Sequence, residues 1–600
     1  MIRKNYIFII IGIMLFMGIT SFLLAWNDSL TFDEVAHIPA GYSYVVLHDY
    51  RLNPEHPPLA KILTGLMLLP LHPHFDTTQD FWTETHGTGE YGQWDAGRYL
   101  LHHANNDTDK IVFFARMPFI VLALAFGLFL FYWGKRTGGI ITGLFALILY
   151  AFDPNILGHD HLVTTDLAIA IAMSIAFFYF LQFLKNPTWK NALYGGIALG
   201  IAQITKFSAI LLIPFFGLLL VIYPLLIILP KEQKRHKIFG SYLLKGIFAM
   251  FIMLAVMYAT YLPVTYKMPS DVLPTIAAVK GQPNKYPRDK YLIAFINKTN
   301  QSTLTRPIAT YTQGIMQVFN RVDDGNVSYF MGTVSSNASV WYFPFVFIAK
   351  QTLAHLFFYI VALILGLLLI VHSVQRVFTQ KFAHSLHACR RFCIRRFHEI
   401  ALGAFVVFYG YISITGNLTI GFRHLFPIMP LLYILTARTL INSYTKLHNH
   451  FWQKIVRGIF VGIILVLATL TISAYPYYIS YFNELFGGPK NGFHYVTDSN
   501  ADWGQDLKRL KKYLDAHPEI DKIRIDYFGG DNVTNRIGDK YIMWWDSKRP
   551  IEPGYYAIST LLLQESLYRT DRSYDDTYRW TEKLTPFDHV GTSIILYKVE

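Results

Sequence analysis

The sequence predicts a polytopic α-helical membrane protein, with about 11 transmembrane helices and a small C-terminal extracytoplasmic α/β domain. Three observations predict it. Apolar residues make up 53% of the 600-residue chain and charged residues only 16%, where soluble domains are about a quarter charged. The apolar residues gather in runs near the roughly 20 needed to cross a bilayer. The net charge of +13 is unevenly spread: residues 479–600 hold 16 basic and 19 acidic residues, so the whole positive excess lies before them.

The apolar runs fall at 6–26, 111–133, 138–152, 165–184, 191–207, 209–229, 238–262, 344–371, 400–416, 424–441 and 456–478. Arg3 and Lys4 precede the first, and no small-residue cleavage site follows it, so it reads as an uncleaved anchor. The third and fifth runs are short. Basic tracts mark cytoplasmic loops. With the N-terminus inside, Lys135-Arg136, 185–190, 231–237, 376–396 and 438–457 all fall inside. The opposite face then receives 27–110, 153–164, a short turn near Lys206, 263–343, 417–423 and everything after 479. Two domains are expected, a transmembrane domain over 1–478 and a soluble domain over 479–600. In the second, "DWGQDLKRLKKYLDAH" spaces Leu507, Leu510 and Leu514 along one helix face. "KIRIDYF", "GYYAIST" and "TSIILYKV" read as short strands. The two cysteines, Cys389 and Cys393, match neither a zinc nor a redox spacing and read as incidental thiols on a basic helix.

Chemistry in such a chain is expected where ionisable groups sit at membrane depth. "TFDEVAHIPAGY" puts Asp33 and Glu34 just past the first run. A carboxylate held there is partly desolvated and is a better base for it; the plainer reading is that Thr31 caps a helix and the acids favour its first turn. "NPEHPPLAK" sets His56 and Lys61 around a rigid Pro57-Pro58 corner. "DPNILGHDHLVTTDL" ends on Asp166, at the start of an apolar helix, and crowds His159, Asp160 and His161 into one loop. A metal there is disfavoured, because three adjacent residues rarely converge on one ion. Arg116 and the pair Arg423-His424 sit at the outer ends of two spans. Each arginine could snorkel to the interface or hold a phosphate, for which guanidinium is well shaped. No Walker A loop, no GxGxxG after a strand, no HExxH and no GxSxG elbow occurs, and no basic face points to nucleic acid.

These segments, with "SVWYFPFVFIAKQ", "IGFRHLFPIMPLL" and "YISYFNELFGGPKNG…DSNADWGQDLKRLKKYL", resemble the glycosyltransferase C superfamily. The likeness is to its protein O-mannosyltransferase-like, phospholipid-carrier-dependent members, nearly end to end. The resemblance implies transfer of a hexose-type sugar from a polyprenyl-phosphate carrier to an acceptor hydroxyl outside the cytoplasm, from a prokaryotic plasma membrane. By the same resemblance Asp33 is the general base, Glu34 its supporting neighbour and Asp166 the outer-loop acid. Arg116 is similar to an arginine that contacts the donor phosphate. Arg423 and His424 are further phosphate candidates, and His56, Lys61, Asp502 and Trp503 complete the set of site candidates. The expected partners are the lipid-linked donor, the bilayer, and a protein, lipid or polysaccharide acceptor. No metal ligand is assigned and no cofactor is required, though a divalent cation is compatible with the chemistry. One departure stands out: 263–343 is too short for the β-trefoil domain of eukaryotic protein O-mannosyltransferases, which argues against a protein acceptor. The competing readings are sugar or aminosugar transfer to a lipid or envelope polysaccharide, a transporter, and a non-catalytic scaffold. A transporter tends to carry internal repeats and midplane charges, and the sequence shows neither.

Overall fold

The computed structural model describes residues 2–83, 92–228, 235–378 and 382–600. Most of the basic tract at 231–237 and residues 379–381 of the next tract lie outside the described residues. Five helices and one tail helix are named here in chain order: α1 (Ile2–Asn27), α2 (Phe32–Tyr42), α3 (Thr108–Gly138), α4 (Asp166–Lys185), α5 (Arg306–Asp324) and α6 (Leu507–Ala516).

Among the described residues, nine helices are long and apolar enough to cross a bilayer, and the chain is a polytopic membrane protein. They include α1, α3 and α4, together with stretches beginning at Phe207, His236, Leu353, Phe397, Phe422 and His450. The third and fifth apolar runs fold as Ile140–Ala151 and Trp189–Gln203, 12 and 15 residues long. At 1.5 Å per residue these reach about 18 and 23 Å, short of a hydrocarbon core of roughly 30 Å. Gly139, at φ 89°, turns the chain back between α3 and the first of them. That tight return suits the close packing of the two helices, where a Cβ at Gly134 would lie 2.8 Å from the Gly143 backbone.

The run read as 344–371 is two helices, Tyr342–Lys350 and Leu353–Phe378. The break has a local cause. Thr352 Oγ1 accepts the His355 N–H at 3.1 Å and restarts the helix. Lys350, buried at the break, donates to the carbonyls of Ile479 at 2.7 Å and Asn500 at 2.6 Å.

After Ser473 the chain crosses one end of the helices in loops broken by three short 3-10 turns, Glu484–Phe486, Gly492–His494 and Asp498–Asn500, and then enters α6. The three leucines of α6 are buried, as their spacing predicts. A hairpin, β1 (Ser328–Phe330) and β2 (Thr333–Ser335), lies in the central loop. The tail carries β3 (Ile523–Asp526), β4 (Tyr541–Met543), β5 (Gly554–Ser559), β6 (Asp588–Val590) and β7 (Ile594–Val599) in the order β4-β3-β5-β7-β6. The β3–β4 and β3–β5 pairs are parallel and the other two antiparallel. Ile523, Ile525, Ala557 and Leu596 pack against the α6 leucines, so this end has a core of its own.

The tail is bonded to the helical part at the backbone. The N–H groups of Ser29 and Phe32 donate to the carbonyls of Gln505 and Trp503, both at 3.1 Å, and Gly530 N–H donates to Leu30 at 3.1 Å. Arg509 pairs with Asp28 at 2.6 Å. The segment that carries Asp33 is thus held between the helices and the tail.

Candidate active site

Thr31 does cap α2, with Asp33 and Glu34 in its first turn. The plainer sequence reading, helix capping, is what the structure shows, and capping fixes where the two acids point. They point apart. Glu34 turns inward and is fully buried. Its carboxylate accepts the Thr31 N–H at 3.0 Å, the Val163 N–H at 3.0 Å, and two bonds from Arg116 at 2.9 and 2.6 Å. Burial opposes ionisation of Glu34, but the Arg116 guanidinium and these N–H donors outweigh it and hold the carboxyl below its ordinary range.

Arg116 is equally committed. Its remaining donors reach the carbonyls of Ala25, Asp28 and Ser29, each at 2.9 Å. All five guanidinium N–H groups are then used, and Arg116 does not line the cavity described next. The expectation that it touches a donor phosphate is corrected on this ground: it ties α3 to the loop before α2.

Asp33 turns outward into a cavity of about 370 Å³. The polar end of the cavity holds Asp33, His37, Glu55, His56, Asp166, Lys206, Arg321, Arg423 and His424. Its other walls are apolar, with Phe207, Leu211, Val318, Phe319, Phe343 and Ile412 among them. Arg423 is the hub. Its Nη1 lies 2.7 Å from Asp33 and 3.2 Å from Asp166, and Lys206 Nζ lies 2.6 Å from the other Asp166 oxygen. Asp33 keeps 26% of its side chain exposed, against 3% for Asp166. Among the described residues, no protein acceptor faces Arg423 Nη2.

The tail fixes this hub. The Trp503 ring lies 4.2 Å under the Arg423 guanidinium, a cation–π contact. Asn500 accepts the Phe422 N–H at 2.9 Å and Ser499 donates to the Ile420 carbonyl at 2.8 Å. Gly421 adopts φ 122°, and a Cβ there would lie 2.2 Å from Ser499 Oγ; only glycine suits that approach.

The remaining candidates separate into lining and bracing groups. His56 lines the cavity beside His37, their ring centroids 5.5 Å apart. Burial, then the nearby His37 and Lys61, hold His56 well below the usual imidazole range, so it is neutral at pH 7. Lys61 is a brace and lies outside the cavity. Its ammonium donates to Asn53 O and Oδ1, both at 2.8 Å, and to His56 O at 2.7 Å, which locks the proline corner. Asp502 is likewise buried outside the cavity, accepting the N–H groups of Gly504 and Leu561 at 3.1 and 3.3 Å. Burial pushes its carboxyl up to about 7.

His161 Nδ1 lies 3.4 Å from Asp160, and the loop residues His159, Asp160 and His161 otherwise take separate partners. His159 bonds the Asn155 carbonyl, Asp160 accepts from Ser21 at 2.6 Å, and His161 reaches Asp28 at 3.2 Å. Among the described residues, no group of three or more His, Cys, Asp or Glu side chains converges as ion ligands would. Sequence reasoning missed Lys206, His37, Glu55 and Arg321. A signal existed for the first, a lysine alone in a short turn between two apolar runs, and for His37, one helical turn after Asp33.

Residues 108–260, about a quarter of the chain, match the model of the family described as dolichyl-phosphate-mannose-protein mannosyltransferase. No curated protein matches the chain in sequence. Among solved structures, the protein O-mannosyltransferase Pmt1–Pmt2 complex of S. cerevisiae, bound to its sugar donor, is similar at 21% identity with a TM-score of 0.31, over 43% of this chain and 33% of that one. This chain therefore spans about a third of that relative's length. ArnT from Cupriavidus metallidurans, bound to undecaprenyl phosphate, is 12% identical with a TM-score of 0.41 over 99% and 98% of the two chains. The oligosaccharyltransferase AglB of Archaeoglobus fulgidus is 12% identical with a TM-score of 0.44, over 100% of this chain and 75% of that one. By family model and by motif, the chain is similar to membrane glycosyltransferases of the C superfamily.

Proposed function

We propose that the chain transfers a hexose-type sugar from a polyprenyl-phosphate carrier to an acceptor hydroxyl on the extracytoplasmic face of its membrane. One observation carries the reading. A single cavity sets a partly exposed carboxylate, Asp33, beside the cations Arg423 and Lys206 at the polar end of otherwise apolar walls. That combination suits a donor with a charged phosphate, a polar sugar and a hydrocarbon tail.

The apolar wall would hold the start of the prenyl chain. Arg423, through its free Nη2, and Lys206 would hold the phosphate. Breaking the sugar–phosphate bond gives the anomeric carbon cationic character and leaves charge on the phosphate oxygen; preorganised cations stabilise that charge as it develops. Asp166 orients both cations. Phosphate binding at Arg423 would draw the guanidinium from Asp33, freeing that carboxylate to take the proton of the attacking hydroxyl. Attack on the ring face opposite the departing phosphate inverts the anomeric centre, in the manner of a base-assisted inverting displacement. His56, neutral and beside His37, offers a route for the proton to leave. Glu34 and Arg116 serve by positioning α2.

The test is transfer of radiolabelled hexose from polyprenyl phosphate to envelope acceptors in liposomes. Asp33→Asn should fold normally and lose about 10²–10⁴ in rate, the usual share of a general base. Wild-type transfer matched by the variant would remove Asp33 from the chemistry.

A further inference from the structure

A second cavity, of about 350 Å³, adjoins the first and shares Glu55 and Arg321 with it. Its character is different. Apart from Pro54, Ile276 and Gly325 its lining is made of polar residues, with Gln317 from α5 and Asn326 just beyond it. Gln317 Nε2 and Asn326 Oδ1 are buried there without a hydrogen-bond partner, a costly condition unless a ligand or solvent supplies one. The charges nearly cancel. Arg51 is paired with Asp49 at 2.7 Å and Arg321 with Glu55 at 3.1 Å, while Asp324 is paired with Lys285. Lys280 carries no ion pair among the described residues.

We propose that this cavity is the acceptor subsite, and that it takes a neutral, polyhydroxylated acceptor, a carbohydrate. Mixed amide donors and acceptors match sugar hydroxyls, which both donate and accept. A phosphorylated acceptor would want unpaired cations, and the cavity offers only Lys280. An apolar peptide or acyl chain would want the apolar lining that the first cavity has and this one lacks. The shared Glu55–Arg321 pair is the wall across which the acceptor hydroxyl would reach the donor. The inference rests on the transferase reading for the word acceptor, but its binding claim stands alone.

The experiment titrates the full-length protein in nanodiscs with maltose by saturation-transfer NMR, and separately with undecaprenyl phosphate. Maltose should bind, Gln317→Leu should weaken it at least tenfold, and Lys280→Ala, at a half-buried position, should weaken it about threefold. Both variants should keep wild-type affinity for undecaprenyl phosphate, which also reports that they fold. Absence of maltose binding, or equal binding by wild type and both variants, overturns the carbohydrate subsite. Maltose binding without undecaprenyl phosphate binding would instead overturn the donor reading and leave the subsite standing.

Discussion

Arg116 and Arg423 are alike in sequence, each an arginine near the end of an apolar run, and they have opposite positions in the structure. Arg116 spends all five donors on protein acceptors, and its pair with Glu34 is wholly buried. Removing one partner of such a pair strands the other and costs about 3–5 kcal/mol. Arg116→Met should therefore lower the melting temperature sharply, while the folded fraction keeps its affinity for undecaprenyl phosphate. Arg423→Gln should be destabilised less, since Lys206 stays on Asp166 and Asp33 is partly exposed, and should lose roughly 10²–10³ in transfer. A stable Arg116→Met with lost lipid-phosphate affinity would restore the phosphate role to Arg116. Sequence could not separate the two, because the deciding partner of Arg116 is 82 residues away and that of Arg423 is 390 away. The direction of Asp33 has a local cause, since helix capping by Thr31 fixes it within one turn.

At the scale of elements, helices and strands with clear periodicity were legible, and the extended chain between them was not. The leucines of α6 and the strands β3, β5 and β7 fall where alternation and spacing put them. The stretch from Ser473 to Leu507 has no period to read, since its groups bond to Ile420, Phe422, Ser29 and Phe32 in place of a ladder. Its buried Asp502 gives that stretch a pH dependence. In the folded protein the carboxyl titrates at about 7, against an ordinary 3.8. Between those values the folded state keeps a proton that the unfolded chain has released, so stability from this group falls as pH rises through the window. Asp502→Asn keeps one acceptor and removes the titration. Its melting temperature relative to wild type should climb from pH 4 to pH 8; a constant difference would show that Asp502 is not carrying a buried charge at the upper end.

For the whole molecule, length alone does not count the crossings. Ile140–Ala151 is short, yet it returns the chain to the face of Asp33, where Asp160 bonds Ser21 and Arg423 bridges Asp33 and Asp166. The expected direction is read from charge. Length in residues was plain in the sequence. What it could not show was that the third and fifth runs pack as short helices among their neighbours, because that depends on contacts such as the Gly134–Gly143 approach. Direction carries the functional argument furthest, since an extracytoplasmic site needs a donor that has already crossed the membrane. The two cysteines offer a direct check, because both lie in the basic tract at 376–396 and Cys389 is exposed. Basic tracts are retained on the cytoplasmic side. A membrane-impermeant maleimide should then label inverted vesicles and spare intact cells. Lys490→Cys, at an exposed position in the tail, should add a site with the opposite behaviour. Labelling of Cys389 in intact cells would invert the orientation. Asp33, Arg423 and the tail would then face the cytoplasm, where a nucleotide sugar is within reach and the case for a lipid-linked donor would rest on the apolar cavity wall alone.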